Sequence, residues 1–429
     1  MRAIPATLLF SAPFAHAIDA ISILNHIVGI VTSPFPFQPD FDIAKVADLA
    51  QSIPSHSWEY GAAAQALLEL YDPYLSVFSP SPFPIPAREP QSVRALSYAA
   101  EKIIVGEGAD GLSPGDGSVG DPASLGVSAV MLGKTDTKYA EAAKGQMDYI
   151  LHEAPRFWNG AISHRADCSE LWADFMYMVP PFMSYYAVDT NDTTLLQDSV
   201  KLCSDYRQVL KANLTDTPHD GVWVHIVGPQ SPDDGLWASG NGWAAGGMAR
   251  VLATVMKAPS HLTQGWADQA IADLTTWIKE IIDGARGAPM DNGLLRNYLD
   301  NTWNDGHGFG EISGSAMLAS VVYRMAILQP EVFGEEYISW ADGIRKTISG
   351  TDHNGDPRVT STGIVRPAVN PLGWFDTNPF ETGSPEGQAF VVLMYAGWRD
   401  CVRAGKCDTA TGATKATKRH GRTFAKRNH

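Results

Sequence analysis

The residue best placed for proton chemistry in this chain is Asp174. It lies near the start of residues 171–186, LWADFMYMVPPFMSYY, a run of large apolar and aromatic side chains. Leu171, Phe175, Met178, Phe182 and Tyr186 recur at helical spacing, and Trp172, Met176, Val179 and Met183 widen the stripe until little polar face is left. A helix that is apolar nearly all round is a buried helix. The spacing therefore predicts a buried helix with Asp174 at its start, where an unpaired charge is costly. Such a carboxyl must be hydrogen-bonded, paired, or held with a raised pKa, and in that state it can exchange a proton near neutral pH. Asp174 would equally serve to cap or brace the helix end through the turn at Ser169 and Glu170, and this stretch alone favours neither role. Pro180 and Pro181 fall inside the pattern and are expected to kink or restart the helix.

Other candidates are read the same way. In 235–247, GLWASGNGWAAGG, Trp237 and Trp243 flank Ser239-Gly-Asn-Gly. Glycine lets a backbone approach a ligand closely, Asn241 carries both donors and acceptors, and the indoles can stack. A tightly packed helix start is the plainer explanation; the motif modestly favours a ligand site. Asp121, in GDPAS, precedes Pro122 as an N-cap would. His164 stands in a polar loop ahead of Asp174, and His225 in GVWVHIVG. In TGSPEGQ, Ser384 and Glu386 sit where a helix cap is expected. No nucleophile elbow, phosphate loop or dinucleotide fingerprint is present.

The elements that must position these groups are helices. Apolar spacing predicts helical segments at 43–53, 58–71, 93–105, 122–132, 138–153, 194–212, 243–257, 263–283, 312–329, 337–348 and 385–404, besides the Asp174 helix. Long polar loops separate them, and 219–239 reads as loop or short strand. No βαβ series and no fixed repeat period is visible. An all-α domain of helical hairpins arranged in a ring fits this order.

With 429 residues and 45% hydrophobic content the chain can bury a large core. Its formal net charge of −15 argues against a nucleic-acid surface, so an anionic substrate would need a local basic or hydrogen-bonding pocket. Residues 1–17 read as a signal peptide: Arg2, an apolar stretch from Ala3 to Phe14, and the A-x-A site Ala15-His16-Ala17. No later stretch is long and apolar enough to span a membrane. Four cysteines suit a secreted protein with up to two disulfides. Cys401 and Cys407 are near enough in sequence to bridge, which would leave Cys168 and Cys203 as a second pair. Asn191 and Asn213 stand in glycosylation sequons. The expected organisation is a signal peptide at 1–17, one domain at 18–406, and a basic disordered tail at 407–429.

Taken together, these stretches resemble the unsaturated rhamnogalacturonyl hydrolases of glycoside hydrolase family 105 and the related unsaturated glucuronyl hydrolases. The likeness rests on six segments in order: VGDPASLGVSAV, SHRADCSELWADFMYMVPPF, DGVWVHIV, GLWASGNGWAAGG, GEISGSAMLA and GSPEGQAFVVLMYA. The resemblance implies an (α/α)6 barrel of six helical hairpins, the six-hairpin glycosidase fold, with no metal or organic cofactor. It implies removal of a 4,5-unsaturated uronic acid from the nonreducing end of a lyase-generated oligosaccharide. That chemistry hydrates the vinyl ether: an acid protonates C4, water adds at C5, and the hemiketal opens and expels the remaining sugar. By position, Asp174 is then the general acid and base, Asp121 holds sugar hydroxyls or is the second carboxylate, and His164 and His225 contact the sugar near the double bond. Trp237 and Trp243 form a stacking wall, with Asn241 beside them. Where the family motif carries arginine this chain has Ser239, no conservative exchange, and Arg165 is a candidate to substitute.

Two other readings stay open. An ordinary glycosidase would use Asp121 and Asp174 as its pair, about 5–5.5 Å apart for retention or about 6.5–9.5 Å for inversion. It would release a reducing sugar of intact ring rather than a 4-deoxy-5-keto acid. A carbohydrate-binding relic would bind ligand without turnover. In every reading the partner is an oligosaccharide, and no nucleic acid, membrane or obligate protein partner is indicated.

Overall fold

The computed structural model describes residues 35–409. The expected signal peptide lies outside them, as does the expected tail beyond Thr409. Among the described residues helices dominate: α1 (Ile43–Ser52), α2 (Ser57–Tyr71), α3 (Arg94–Lys102), α4 (Gly120–Ala123), α5 (Gly126–Leu132), α6 (Thr137–His152), α7 (Phe175–Thr190), α8 (Thr193–Leu210), α9 (Ala238–Lys257), α10 (Ser260–Thr263), α11 (Ala267–Gly287), α12 (Ile312–Leu328), α13 (Glu335–Ser349) and α14 (Pro385–Arg403).

Two kinds of helix alternate. In α12 every residue from Ile312 to Ala326 is buried, whereas α11 buries one face only, through Ala270, Leu274, Ile278, Ile281 and Ile282. The all-round apolar helices must be inside and the one-faced helices outside. The packing bears this out. α2, the α4–α5 pair, α7, α9, α12 and α14 each pack on the next, and α14 packs back on α2, closing an inner ring. α1, α3, α6, α8, α11 and α13 lie outside it. The fold is therefore an (α/α)6 barrel, and the ring leaves the N-terminal ends of the inner helices at one end. The C-terminal ends hold a buried ionic network in which Arg324 bonds Glu69 at 2.6 Å and Asp400 at 2.7 Å.

The apolar run 171–186 is helical only from its expected start near Asp174. Leu171–Trp172 form a short strand, β1, paired antiparallel with Ile226–Val227, β2. The helix begins at Phe175, directly after Asp174, and Pro180 and Pro181 run inside it without a restart. Each proline removes the N–H that would bond the carbonyl four residues earlier, here Met176 and Tyr177. Arg250 Nη1 takes the Tyr177 carbonyl at 3.0 Å. The Met176 carbonyl faces Gly247 of α9, where a Cβ would lie 1.8 Å from the oxygen.

Cys401 and Cys407 form a disulfide, but Cys168 and Cys203 are not paired. Cys203 is buried on α8 with its thiol on the Ser199 carbonyl, and Cys168 lies in a loop beside Gln230. Asn191 and Asn213 are both exposed.

Candidate active site

A cleft of about 400 Å³ opens at the N-terminal ends of the inner helices. This is the size range of small-ligand sites, roughly 300–1,000 Å³. Asp121, His164, Arg165, Asp174, His225 and Trp237 all line it.

Asp174 immediately precedes α7, and its side chain makes no capping hydrogen bond. The turn is closed by backbone instead, Tyr177 N–H donating to the Asp174 carbonyl at 3.0 Å. The bracing role falls to Glu170, which accepts from Trp172 Nε1 at 2.7 Å and from the backbone N–H groups of Gln230 and Ser231. The Asp174 carboxylate is thereby left for the cleft, where Oδ2 lies 3.2 Å from His225 Nε2.

Asp121 lies within the short α4 rather than at its cap. Its turn presses against His164: a Cβ on Gly120 would lie 2.8 Å from His164 Nδ1, so only glycine fits. Burial, and then the Asp174 charge, push the Asp121 carboxyl up to about 8. His164 Nε2 is 3.6 Å from Asp121 Oδ1 and 3.2 Å from Ser118 Oγ. Its ring stacks on Trp172 at 4.8 Å, and burial pushes it down to about 3, so the imidazole is neutral.

His225 is the opposite case. Burial pulls it down, but Asp174 and Asp233 outweigh burial and hold it above its ordinary value. Asp233 Oδ2 contacts its Nδ1 at 2.9 Å and also accepts from the Tyr298 hydroxyl at 2.8 Å. With a carboxylate at each ring nitrogen, His225 is held in place and biased toward imidazolium. Asp233→Asn should therefore lower the pH at which His225 titrates, read from its imidazole NMR signals; an unchanged midpoint would remove Asp233 from this arrangement.

Three expected site residues are not in the cleft. Asn241 is spent on the fold: Oδ1 accepts from Trp223 N–H at 2.8 Å, and Nδ2 donates to the carbonyls of Trp223 and Trp237. Trp243 packs in the core between Tyr177 and Phe390. Ser239 is fully buried in the first turn of α9 and does not line the cleft, so it offers no hydroxyl to a ligand there. Trp237 does reach the cleft, its ring 4.4 Å from His225 and its indole N–H held by Asn297.

Other lining residues were not expected: Trp58, Trp172 and Trp374, and Glu386, for which the cap was the plainer reading. Ser384 is that cap, accepting from Gly387 N–H. Trp172 shows as part of an apolar run, while Trp58 and Trp374 carry no local signal at all. Among the lining residues Arg165 is the one arginine or lysine. Among the described residues no group of three or more histidine, cysteine, aspartate or glutamate side chains is arranged to hold a metal ion. The arrangement is one of carboxyls and imidazoles in contact, suited to moving protons and holding a polar ring between indoles.

Residues 128–397 match the family described as Glycosyl Hydrolase Family 88. Asp174, His164, His225 and Glu386 fall inside that range, and Asp121 just ahead of it. The chain is similar to an unsaturated rhamnogalacturonyl hydrolase of Bacillus subtilis, 27% identical over 46% of this chain and 56% of that protein. It is also similar to an unsaturated 3S-rhamnoglycuronyl hydrolase of Formosa agariphila, 26% identical over 46% of this chain and 52% of that one. The chain thus spans about half the length of the curated relatives it matches. A solved structure from Salmonella enterica serovar Paratyphi A, described as a possible member of the GH105 family, shares the fold at a TM-score of 0.61 and 14% identity. That likeness covers 83% of this chain and 92% of the other.

Proposed function

The chain belongs to Glycosyl Hydrolase Family 88, and from that premise we propose that it hydrates the vinyl ether of a 4,5-unsaturated uronyl group at the nonreducing end of lyase-generated oligosaccharides of the rhamnogalacturonan or pectin type. The observation that carries this reading is the pair of half-buried carboxyls, Asp121 and Asp174, each beside an imidazole, one neutral and one charge-biased.

Protonating carbon calls for an acid that still holds its proton at neutral pH. Burial and the charge of Asp174 keep a proton on Asp121 up to about pH 8, and in the proposed cycle that proton passes to Asp174. Asp174 delivers it to C4. Positive charge then develops at C5, next to the ring oxygen, and the same carboxylate takes a proton from the water that adds there. The resulting hemiketal opens to a 5-keto acid and releases the remaining sugar. His225, fixed by Asp233, steadies the Asp174 carboxylate through the cycle. Arg165 and the converging helix N-termini, each carrying roughly half a positive charge, offset the charge of an anionic sugar. Trp172, Trp237 and Trp374 supply apolar faces for the ring.

Action outside the cell is part of this proposal. The Cys401–Cys407 disulfide supports it, since such bonds persist in oxidising compartments.

The test is loss of the unsaturated-uronate absorbance when the protein is mixed with lyase-generated pectin, rhamnogalacturonan and glucuronan oligosaccharides. Decay on at least one supports the reading, and no decay on any of them contradicts it. The pH dependence has a definite sign. Asp121 is protonated below about 8 and loses its proton above, so kcat, which draws on that proton, should fall on the alkaline side with a midpoint near 8. A kcat that is flat through pH 9 would detach this pair from the proton transfer.

A further inference from the structure

Glu386 is used neither by the mechanism nor by the fold. It stands in the first turn of α14, 2% exposed, on the wall of the cleft. Its helix is already capped by Ser384, so the carboxyl is not needed there. Oε1 accepts from the indole N–H of Trp58 at 3.1 Å, and Trp58 lines the same cleft, its ring 4.7 Å from His56. Oε2 is buried and has no hydrogen-bond partner. A buried carboxyl oxygen left unmatched on a cleft wall is costly in the empty protein and is satisfied when a ligand supplies the partner.

We propose that Glu386 is a specificity-determining residue that recognises the uronate group of the substrate, its free Oε2 hydroxyl donating a hydrogen bond to the sugar carboxylate. The inference rests on the reading of the cleft as an unsaturated-uronide site. An ionised Glu386 would repel that carboxylate; a protonated one binds it through a short, charge-assisted O–H···O⁻ bond. The surroundings favour the protonated form. Burial acts first, followed by the charge of Asp174 ahead of α7, Glu59 on α2 and Glu311 at the start of α12, with only the Trp58 N–H opposing them. Glu59 cannot relieve the site, because it is occupied by the backbone N–H groups of Ser55 and His56. The entering anion adds a further negative charge and fastens the proton more firmly. Acid and carboxylate recognise each other here without a second guanidinium, in a cleft lined by Arg165 alone.

The experiment compares Glu386→Ala, Glu386→Gln and the unaltered protein on the unsaturated galacturonyl-rhamnose disaccharide and on its uronate methyl ester, from pH 5.5 to 9. The pH range and probes are chosen so that KM and kcat can be separated. Glu386→Ala should raise KM for the acid at least about tenfold at pH 6, with the loss on KM rather than kcat, and should leave KM for the ester nearly unchanged. Glu386→Gln keeps an acceptor for Trp58 and supplies an amide donor that does not titrate. It should bind the acid close to normally at pH 6 and abolish any alkaline rise in KM that the unaltered protein shows. The inference is overturned if Glu386→Ala binds acid and ester with the same change. It is equally overturned if Glu386→Gln loses as much affinity as Glu386→Ala. Turnover by the unaltered protein with either of these results removes Glu386 alone, whereas no turnover of any unsaturated uronide removes the underlying reading as well.

Discussion

Asp174→Asn is expected to slow consumption of the unsaturated bond by roughly 10³–10⁴-fold, the upper part of the range for loss of a positioned acid–base group. The exchange keeps the shape of the side chain and so spares the backbone bonds that start α7. What it removes is the charge on which the buried cluster depends. Asp174 is a cause of the upward displacement of Asp121, His225 and Glu386 alike. Without it Asp121 loses its repelling neighbour and His225 loses a carboxylate partner, so both should titrate at lower pH. The loss should fall on kcat with KM little altered, because the missing interaction forms in the transition state. A variant retaining more than a tenth of the normal kcat would show that another group delivers the proton.

The largest expected effect on stability lies one layer away from the chemistry. Gly247→Ala should destabilise the fold by about 3 kcal/mol or more, at or beyond the upper end for overpacked cores. The new methyl would lie 1.8 Å from the Met176 carbonyl oxygen, 2.4 Å from its carbon and 2.8 Å from Tyr177 N. All three are backbone atoms, so no side chain can swing aside. The contact exists because Pro180 frees that carbonyl and the two helix backbones then pack directly on each other. α7 would be forced away from α9 two residues after Asp174, so catalysis should fall along with stability. Chemical denaturation measures the first, and a stability within about 1 kcal/mol of the parent would mean the helices separate easily.

These two residues also show what is legible in a sequence of this kind. The apolar run around Asp174 announces a buried helix, and the succession of helices separated by long polar loops, with no βαβ series, announces a ring of hairpins. The start at Asp174 is legible to within one position, but Leu171 and Trp172 fit the helical stripe as well as they fit a short strand, and only pairing with Ile226 and Val227 decides. The SGNG stretch resembles a ligand loop because small residues suit a ligand and a close helix contact equally. Here the contact is the cause: a Cβ on Gly242 would meet Met317 at 3.0 Å, and Asn241 spends its amide on Trp223 and Trp237. Asp121, His164 and His225 are legible as candidates because each stands in a distinctive local pattern. Trp58 and Trp374 carry no such pattern, and the pattern around Glu386 reads as a helix cap. They join the cleft only because the ring closes, bringing the N-terminal end of α14 beside that of α2, 328 positions away between Trp58 and Glu386. The Asp233–Tyr298 support of His225 is hidden for the same reason, since it joins groups 65 residues apart.

The most direct test of vinyl-ether hydration is to run the reaction in deuterated water and follow it by proton NMR. Hydration through the Asp121–Asp174 pair predicts that the C4 vinyl proton signal disappears in step with release of the neighbouring sugar, with one deuterium delivered to C4. If the neighbouring sugar is released while the vinyl signal persists on the freed uronic acid, the bond was broken at the anomeric carbon, and Asp174 acts as an ordinary glycosidase carboxylate.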